Sequence, residues 1–536
     1  MQVTTFTPTF RVSALALALA AVASPGLAQV NAEPPLIHSL DVRGNNPLSA
    51  ADTSAVMAPY LRTPATLESL AAITAALEAA LQAQGYSLYK VTLPPQTLGS
   101  DLRLDVLRFD LSQIELRGNQ YIDRDNALTS LPELVPGQSP NLLRLALQTR
   151  LANTSAHKQL RVGLSESKTP DSVDAAIAVE DHSPWLFGVD VNNTGSDATG
   201  KDRVTFQVAH SNLFNRDHAL SAVWTTSAER SDDVKQWGLS YRVPLYELGG
   251  ALSASLSQSN VVGSFGAFSS TGAGRTTQVG YTQLIPAAGN WTGEWSLMLN
   301  DRLFNGAQLS DASGNPIAGT TTPDTRTRSL SLGHSGTLEG DSVALSYSLS
   351  WAQALNGGRG NNLAAYTNGG TNPAIKTTDW YALRASANLQ APLPAKWLLT
   401  WRGEAQYTTD ALLPGEQFGL GGSASVRGMA ERTLQGDTGL LSTLEVRSPE
   451  LSPGLNAIGF VDMGLLGNNN PNHINRLDND HVASAGVGLR WASPAGVSLT
   501  LDYGRIIWGS RLPVATSPSA PRVGDDRLHV SAALRF

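Results

Sequence analysis

The chain has 536 residues, 45 acidic and 38 basic side chains, a net charge of −7 and no cysteine. Charged residues reach only 15% and glycine fills 49 positions, where ordinary soluble domains carry roughly 25% charged residues. That balance excludes a basic nucleic-acid footprint, and the missing thiols exclude disulfide frameworks, cysteine-ligated metals and thiol nucleophiles.

At the N-terminus, Arg11 precedes the apolar run Val12 to Ser24, and Gly26 and Ala28 are the small residues of a signal-peptidase site. Residues 1–28 read as a secretory signal peptide, followed by a short segment, 29–35. The 13-residue run is too short for a spanning helix, which needs about 20. Nothing later approaches such a helix, so residence in a membrane has to be as a barrel.

Two segments then resemble each other: LDVRGNNPLSAADTSAVM from Leu40 and IELRGNQYIDRDNALTSL from Ile114. Each reads as a short strand, an Arg-Gly-Asn turn and a helical stretch. In the first copy Thr66 can cap a helix with Leu67, Leu70, Ile73, Leu77 and Leu81 on one face, ended by Gly85. The stretches YSLYKVTLPPQ and SDLRLDVLRFD follow as a strand pair, the first strand of the copy starting near Leu36. The second copy repeats the order, with LLRLALQTRL as a helix and KQLRVGLSE and SVDAAIAVE as strands. Two tandem α/β modules are expected, at 36–108 and 109–181. Asp181-His182 reads as a polar linker.

From about Pro184 the texture changes to alternating strands separated by Gly, Asn, Asp and Pro turns. In SVALSYSLSW, Val343, Leu345, Tyr347, Leu349 and Trp351 share one face against a face of mostly serine; in VSLTLDYG, Val497, Leu499, Leu501 and Tyr503 oppose Ser498, Thr500, Asp502 and Gly504. Strands of about ten residues suit a tilted bilayer crossing rather than a soluble sandwich. Sixteen segments can be counted, starting near Trp185, Val204, His218, Val234, Gly250, Gly274, Trp291, Thr325, Asp341, Thr377, Lys396, Leu440, Asn456, His481, Val497 and Asp526. The last ends on Phe536, the terminal aromatic typical of outer-membrane barrels, read here as its barrel-assembly signal. The fold class is therefore α+β modules followed by an all-β transmembrane barrel of 16 antiparallel strands over 184–536.

Between the eleventh and twelfth segments lies GLGGSASVRGMAERTLQGDTG, Gly419 to Gly439. It is too glycine-rich for a strand and long enough to fold back into the lumen. Arg427, alone between Val426 and Gly428, asks for a specific carboxylate rather than solvent.

Several stretches together resemble the outer-membrane transporters of two-partner secretion, the haemolysin-activator and filamentous-haemagglutinin type (ShlB/FhaC/HecB). They are GYSLYKVTLPPQ, NNTGSDATGKDRVTFQVAHSNLFNRDHAL, FGLGGSASVRGMAERTLQGDTGLL followed by EVRSPEL, and FVDMG from Phe460 to Gly464. The resemblance implies two periplasmic POTRA domains, a 16-stranded barrel in the Gram-negative outer membrane, and a Val-Arg-Gly loop turned into the lumen. It implies that the loop motif Val426, Arg427, Gly428 and Met429 is anchored by Asp462 of a Phe-x-Asp-x-Gly strand, with Phe460 and Gly464 on the same inner face. Relatives usually carry an aromatic where this chain has Met429. Only about seven residues separate Gln29 from Leu36, so the N-terminal plug helix of some relatives is not expected.

The implied activity is export of an unfolded partner exoprotein, an adhesin, haemolysin or toxin, captured in the periplasm by the POTRA domains. Implied partners are that exoprotein, outer-membrane lipid and the barrel-assembly machinery that inserts the chain, the barrel itself being monomeric. The alternative is an assembly factor of the BamA/TamA type, but those generally carry more POTRA domains than two. No catalytic, cofactor-binding or metal motif is found: Gly-x-Ser-x-Gly and His-Glu-x-x-His are absent, and the nine histidines are scattered and read as rim or loop residues.

Overall fold

The computed structural model describes residues 34–536 apart from 98, 266, 307–322, 368–372 and 475. The expected signal peptide and most of segment 29–35 lie outside the described residues. The chain divides into two compact units, residues 1–80 with 91–107, and residues 81–90 with 108–536.

The first unit is built on a three-stranded sheet of β1 (Ser39–Gly44), β2 (Tyr89–Thr92) and β3 (Asp101–Arg108), in the order β1-β3-β2, with β1 and β3 parallel. Helix α1 (Ala50–Met57) is capped by Ser49, whose hydroxyl accepts from the Asp52 amide at 3.0 Å. For α2 (Leu67–Ala83), Thr66 accepts from the Ser69 amide at 3.1 Å. Of the face of α2 expected to be apolar, Leu70, Ile73, Leu77 and Leu81 are buried, as are Leu102, Leu104 and Val106 of β3, whereas Leu67 at the start of the helix is 79% exposed. Two expectations need correction. The first strand starts at Ser39, Leu36 making only an isolated bridge with Pro64. Of YSLYKVTLPPQ only Tyr89–Thr92 is strand, because Pro94 and Pro95 have no amide to offer a ladder.

The second unit opens with the same order of elements. Strands β4 (Asp110–Arg117), β5 (Lys158–Glu166) and β6 (Ser172–Asp181) form a sheet in the order β4-β6-β5, parallel then antiparallel. Asp123 caps helix α3 (Arg124–Thr129) and Asn141 caps α4 (Leu142–Ala152). The remainder is a closed barrel of 16 strands, each paired to its sequence neighbour, the sixteenth (Asp526–Arg535) closing on the first (Trp185–Asn192). Strands run from 8 to 15 residues. They are joined by short turns at the end where β6 leads in and by long loops at the other, the arrangement of periplasmic turns and extracellular loops.

Alternation decides which face meets lipid. Leu349 and Trp351 point outward, 52% and 47% exposed, whereas Ala352, next in the same strand, is 1% exposed and faces in. The same parity sets Val461 and Met463 outward and Phe460 and Asp462 inward. Two expected starts shift by more than two residues: the ninth strand begins at Ala344 and the tenth at Tyr381. At the closing seam the Phe187 amide donates to the Phe536 carbonyl at 2.9 Å and the Phe536 amide returns the bond at 3.0 Å, their rings stacked 5.7 Å apart on the outer face.

Candidate functional site

The eleventh barrel strand (Leu398–Tyr407) and the twelfth (Thr438–Arg447) are linked by the glycine-rich segment, which folds into a hairpin of Phe418–Leu420 against Leu434–Gly436. Its tip, residues 421–433, lies inside the barrel against inward-facing side chains of the barrel wall. Gly421, Gly422 and Gly428 all have φ near +100°, a region that side-chain-bearing residues rarely occupy.

Arg427 stands at the centre, 3% exposed. Its Nε donates to Asp462 Oδ2 at 2.8 Å and its Nη2 to Oδ1 at 2.9 Å, a bidentate fork, while its own amide donates to Oδ2 at 3.0 Å. Asp462 comes from the thirteenth strand (Leu455–Gly467) and has no exposure. Nη1 donates to Glu445 Oε2 of strand twelve at 3.0 Å and lies 3.7 Å from Asp502 of the fifteenth strand (Val497–Trp508). The guanidinium sits 3.3 Å above the Phe460 ring, so the inward aromatic supplies a cation–π face. Asp502 in turn holds Arg490 of the fourteenth strand (Asn479–Ala492) at 2.6 Å. The cluster sets Arg427 and Arg490 against Asp462, Glu445 and Asp502, leaving one negative charge in excess.

The other motif residues make room or fill it. A Cβ on Gly464 would come within 2.4 Å of the Leu420 side chain, so the glycine is the socket for that leucine. A Cβ on Gly428 would meet the Gly504 carbonyl at 2.9 Å, and one on Gly504 the Gly428 amide nitrogen at 2.7 Å. These two glycines let loop and wall backbones touch directly. Val426 and Met429 are buried in an apolar cluster with Leu420, Leu434, Leu441, Leu466, Val482 and Ile506. Met429 packs as a flexible thioether among these aliphatics.

Sequence reasoning missed Glu445, Asp502, Gly504 and His529. The Gly428 amide donates to His529 Nε2 of the sixteenth strand at 3.1 Å, and His529 is 3% exposed; it is no rim residue. Parity could have found these positions, since Asp502 sits between Leu501 and Tyr503 and His529 between Leu528 and Val530 on strands whose outer face is apolar. Their partner could not be read, because closure brings Gly428 and His529 together across 101 positions.

A second buried polar cluster joins the second α/β module to the barrel. Asp217, in the turn between the second strand (Arg203–Leu213) and the third (His218–Thr226), is 3% exposed. It accepts from Lys158 Nζ at 2.7 Å, Ser130 Oγ at 2.9 Å, Asn126 Nδ2 at 3.1 Å and Tyr246 Oη at 2.6 Å. Lys158 also donates to Asn126 Oδ1 and Ser130 Oγ. Beside them His157 has no exposure; burial is the main cause holding its pKa down to about 4, with Asp217 at 3.6 Å opposing. Arg150 of α4 reaches the carbonyls of Ile285 and Gly293 at 2.7 and 2.6 Å, where a register shift interrupts the pairing of strands six and seven. Asp181 does more than link: its carboxylate accepts from the amides of Gln120, Tyr121 and Ile122.

Among the described residues no helix is long and apolar enough to cross a membrane, and no group of three or more His, Cys, Asp or Glu could hold a metal ion. Phe536 lies at the barrel seam, exposed on its outer face.

Comparison with known proteins gives two family matches. The profile "Haemolysin secretion/activation protein ShlB/FhaC/HecB" matches residues 172–491, and "POTRA domain, ShlB-type" matches residues 36–108. The outer membrane transporter CdiB of Dickeya dadantii (strain 3937) is 24% identical over 419 residues, 73% of this chain and 68% of the relative. That of Escherichia coli is 23% identical over 492 residues, 87% of this chain and 77% of the relative. The solved structure of CdiB from Escherichia coli superposes with a TM-score of 0.72 at 18% identity, covering 96% of this chain and 93% of that one.

Proposed function

Because the chain belongs to the haemolysin secretion/activation protein ShlB/FhaC/HecB family, it is an outer-membrane transporter of two-partner secretion, and we propose that Arg427 is the latch of its lumen loop. The family exports a partner exoprotein. In this reading the exoprotein, arriving unfolded in the periplasm, docks on the open strand edges of the POTRA region by β-augmentation, where main-chain hydrogen bonds give affinity without strict sequence demands. It then passes through the barrel as the loop tip yields. No catalytic step is involved.

The observation that carries the reading is the bidentate bond of Arg427 to Asp462, seated in the lumen by Glu445 and Phe460. A wholly buried ion pair is poor as a source of stability but strong as a device for specifying one arrangement. Val426, Gly428 and Met429 seat the loop, and Phe460 and Gly464 complete its socket. Phe536 is read as the signal by which the barrel-assembly machinery recognises the chain for insertion. The barrel acts as a monomer surrounded by outer-membrane lipid, and the cargo is an adhesin, haemolysin or toxin.

The test is Arg427→Ala in cells producing the transporter and the large secreted protein encoded beside it. Export should fall while the heat-modifiable electrophoretic shift of a folded barrel persists. Normal export from a folded Arg427→Ala barrel would remove the latch from the mechanism.

A further inference from the structure

The arm of the loop that leaves strand eleven carries an ion cluster of its own. Glu416, two residues before the hairpin, is 3% exposed. Its Oε2 accepts from Arg302 Nη1 at 3.3 Å and Arg384 Nη2 at 3.2 Å, and its Oε1 from Thr327 Oγ1 at 2.8 Å. These partners lie on the seventh (Trp291–Phe304), eighth (Thr325–Glu339) and tenth (Tyr381–Pro392) barrel strands. Gln406 of strand eleven adds a bond from its side-chain amide to the Glu416 carbonyl at 3.0 Å and another to the Asp437 carbonyl on the returning arm at 3.0 Å. Arg302 further reaches the Gly415 carbonyl at 3.3 Å. Among the described residues the tip makes no hydrogen bond to strands seven, eight or ten and is held by strands twelve, thirteen and sixteen, with Arg402 of strand eleven donating to the Ala424 carbonyl at 2.6 Å.

The polarity of the two attachments is opposite. At the tip the loop brings the cation and the wall the carboxylates; at the arm the loop brings the carboxylate and the wall the cations. Arg432 of the loop also interacts electrostatically with Arg302, Arg384 and Glu416, so a single carboxylate stands against three guanidiniums. Loss of that carboxylate leaves mutual repulsion between loop and wall as well as missing hydrogen bonds.

We propose that Glu416 is a second positioning residue, holding the outer half of the lumen loop to strands seven, eight and ten independently of the Arg427 latch. Its effect on export rests on the latch reading above; the attachment itself does not.

Single-cysteine reporters in the full-length, naturally cysteine-free transporter separate the two. Leu413→Cys reports the outer arm, where Leu413 is 3% exposed, and Val426→Cys the tip, where Val426 has no exposure. Cells are treated from outside with a membrane-impermeant maleimide, and only the heat-modifiable, folded species is scored. Glu416→Gln should raise labelling of Leu413→Cys about tenfold with Val426→Cys still protected, the mark of a local rather than global opening. Arg302→Gln with Arg384→Gln should reproduce this from the wall side and serves as the test should Glu416→Gln fail to accumulate. Glu416→Asp, which keeps the charge, should hold labelling within about threefold of the parent. Both reporters rising together in Glu416→Gln, or neither rising, would overturn the proposal. Unchanged export in Arg427→Ala, with Glu416→Gln behaving as expected, would sink the latch and leave this attachment standing.

Discussion

Asp217→Asn should undock the second module from the barrel at measurable cost. The carboxylate collects four hydrogen bonds, from Lys158, Ser130, Asn126 and Tyr246, at 2.6 to 3.1 Å. Lys158 is 1% exposed, and Asp217 is the one carboxylate within salt-bridge distance of it among the described residues. Removing the charge leaves an ammonium in the interior with only neutral acceptors, Asn126 Oδ1, Ser130 Oγ and the amide oxygen at position 217. Breaking one partner of such a pair costs about 3–5 kcal/mol, which shifts the ratio of docked to open module by roughly 10² to 10³ or somewhat more, at about 1.4 kcal/mol per decade. Hydrogen exchange of purified, detergent-held transporter reads this directly. The amides of α3, whose Asn126 and C-capping Ser130 line the cluster, should exchange faster by a comparable factor, while barrel-strand amides stay protected. The paired change Lys158→Met with Asp217→Leu removes both charges and should bring α3 back to within about 1 kcal/mol of the parent. Exchange in α3 that stays within threefold of the parent in Asp217→Asn would show that the cluster does not hold the joint.

The same joint should weaken in acid. Burial depresses His157 in the folded state from its ordinary 6.5 to about 4, so above pH 6.5 it contributes no pH dependence. As pH falls from 6.5 towards 4 only the opened state takes up the proton, and docking loses up to about 3 kcal/mol; His157→Gln should flatten that slope in melts followed across pH 4 to 7. Phe460→Leu keeps bulk but removes the aromatic face beneath Arg427, and should weaken loop seating by about 0.5–2 kcal/mol, read as partial labelling of Val426→Cys. Gly428→Ala combines a φ of +97° with a 2.9 Å approach to the Gly504 carbonyl and should unseat the tip by about 1–3 kcal/mol, with barrel folding unchanged. Deleting Phe536 should lower the amount of folded transporter in the outer membrane, measured by the heat-modifiable band, without altering export per folded molecule.

Much of this architecture could be read from local pattern. Ten-residue alternation with turn residues between gave the barrel and its 16 strands, since parity and length are properties of each strand alone. The loop stood out because glycine clusters break that parity between strands eleven and twelve. Proline explains why YSLYKVTLPPQ is mostly not strand, a local signal underweighted beside its alternation. What was not legible depends on closure. Asp217 meets Lys158, 59 positions away, and Glu416 meets Arg302, 114 positions away, through the second unit's tertiary fold. His157 looked like any scattered histidine, and its burial follows from docking against a turn of the barrel that the sequence around it does not encode.

Phe460, Asp462 and Gly464 occupy alternate positions of one strand, giving a ring, a carboxylate and a gap all facing inward. This makes strand thirteen intolerant of length change in a way that its neighbours' turns are not. Deleting one residue upstream of Phe460 within the strand would turn all three to lipid and bring Gly459, Val461 and Met463 inward. Deleting two would restore the facing but carry the carboxylate nearly 7 Å along the wall, beyond reach of a guanidinium held by Glu445. The turn at 448–454, at the periplasmic rim, can lengthen freely because it sets no register. Across descendants of this chain, insertions and deletions should therefore accumulate in the turn and leave the strand's residue count fixed, a ruler against which the loop is measured.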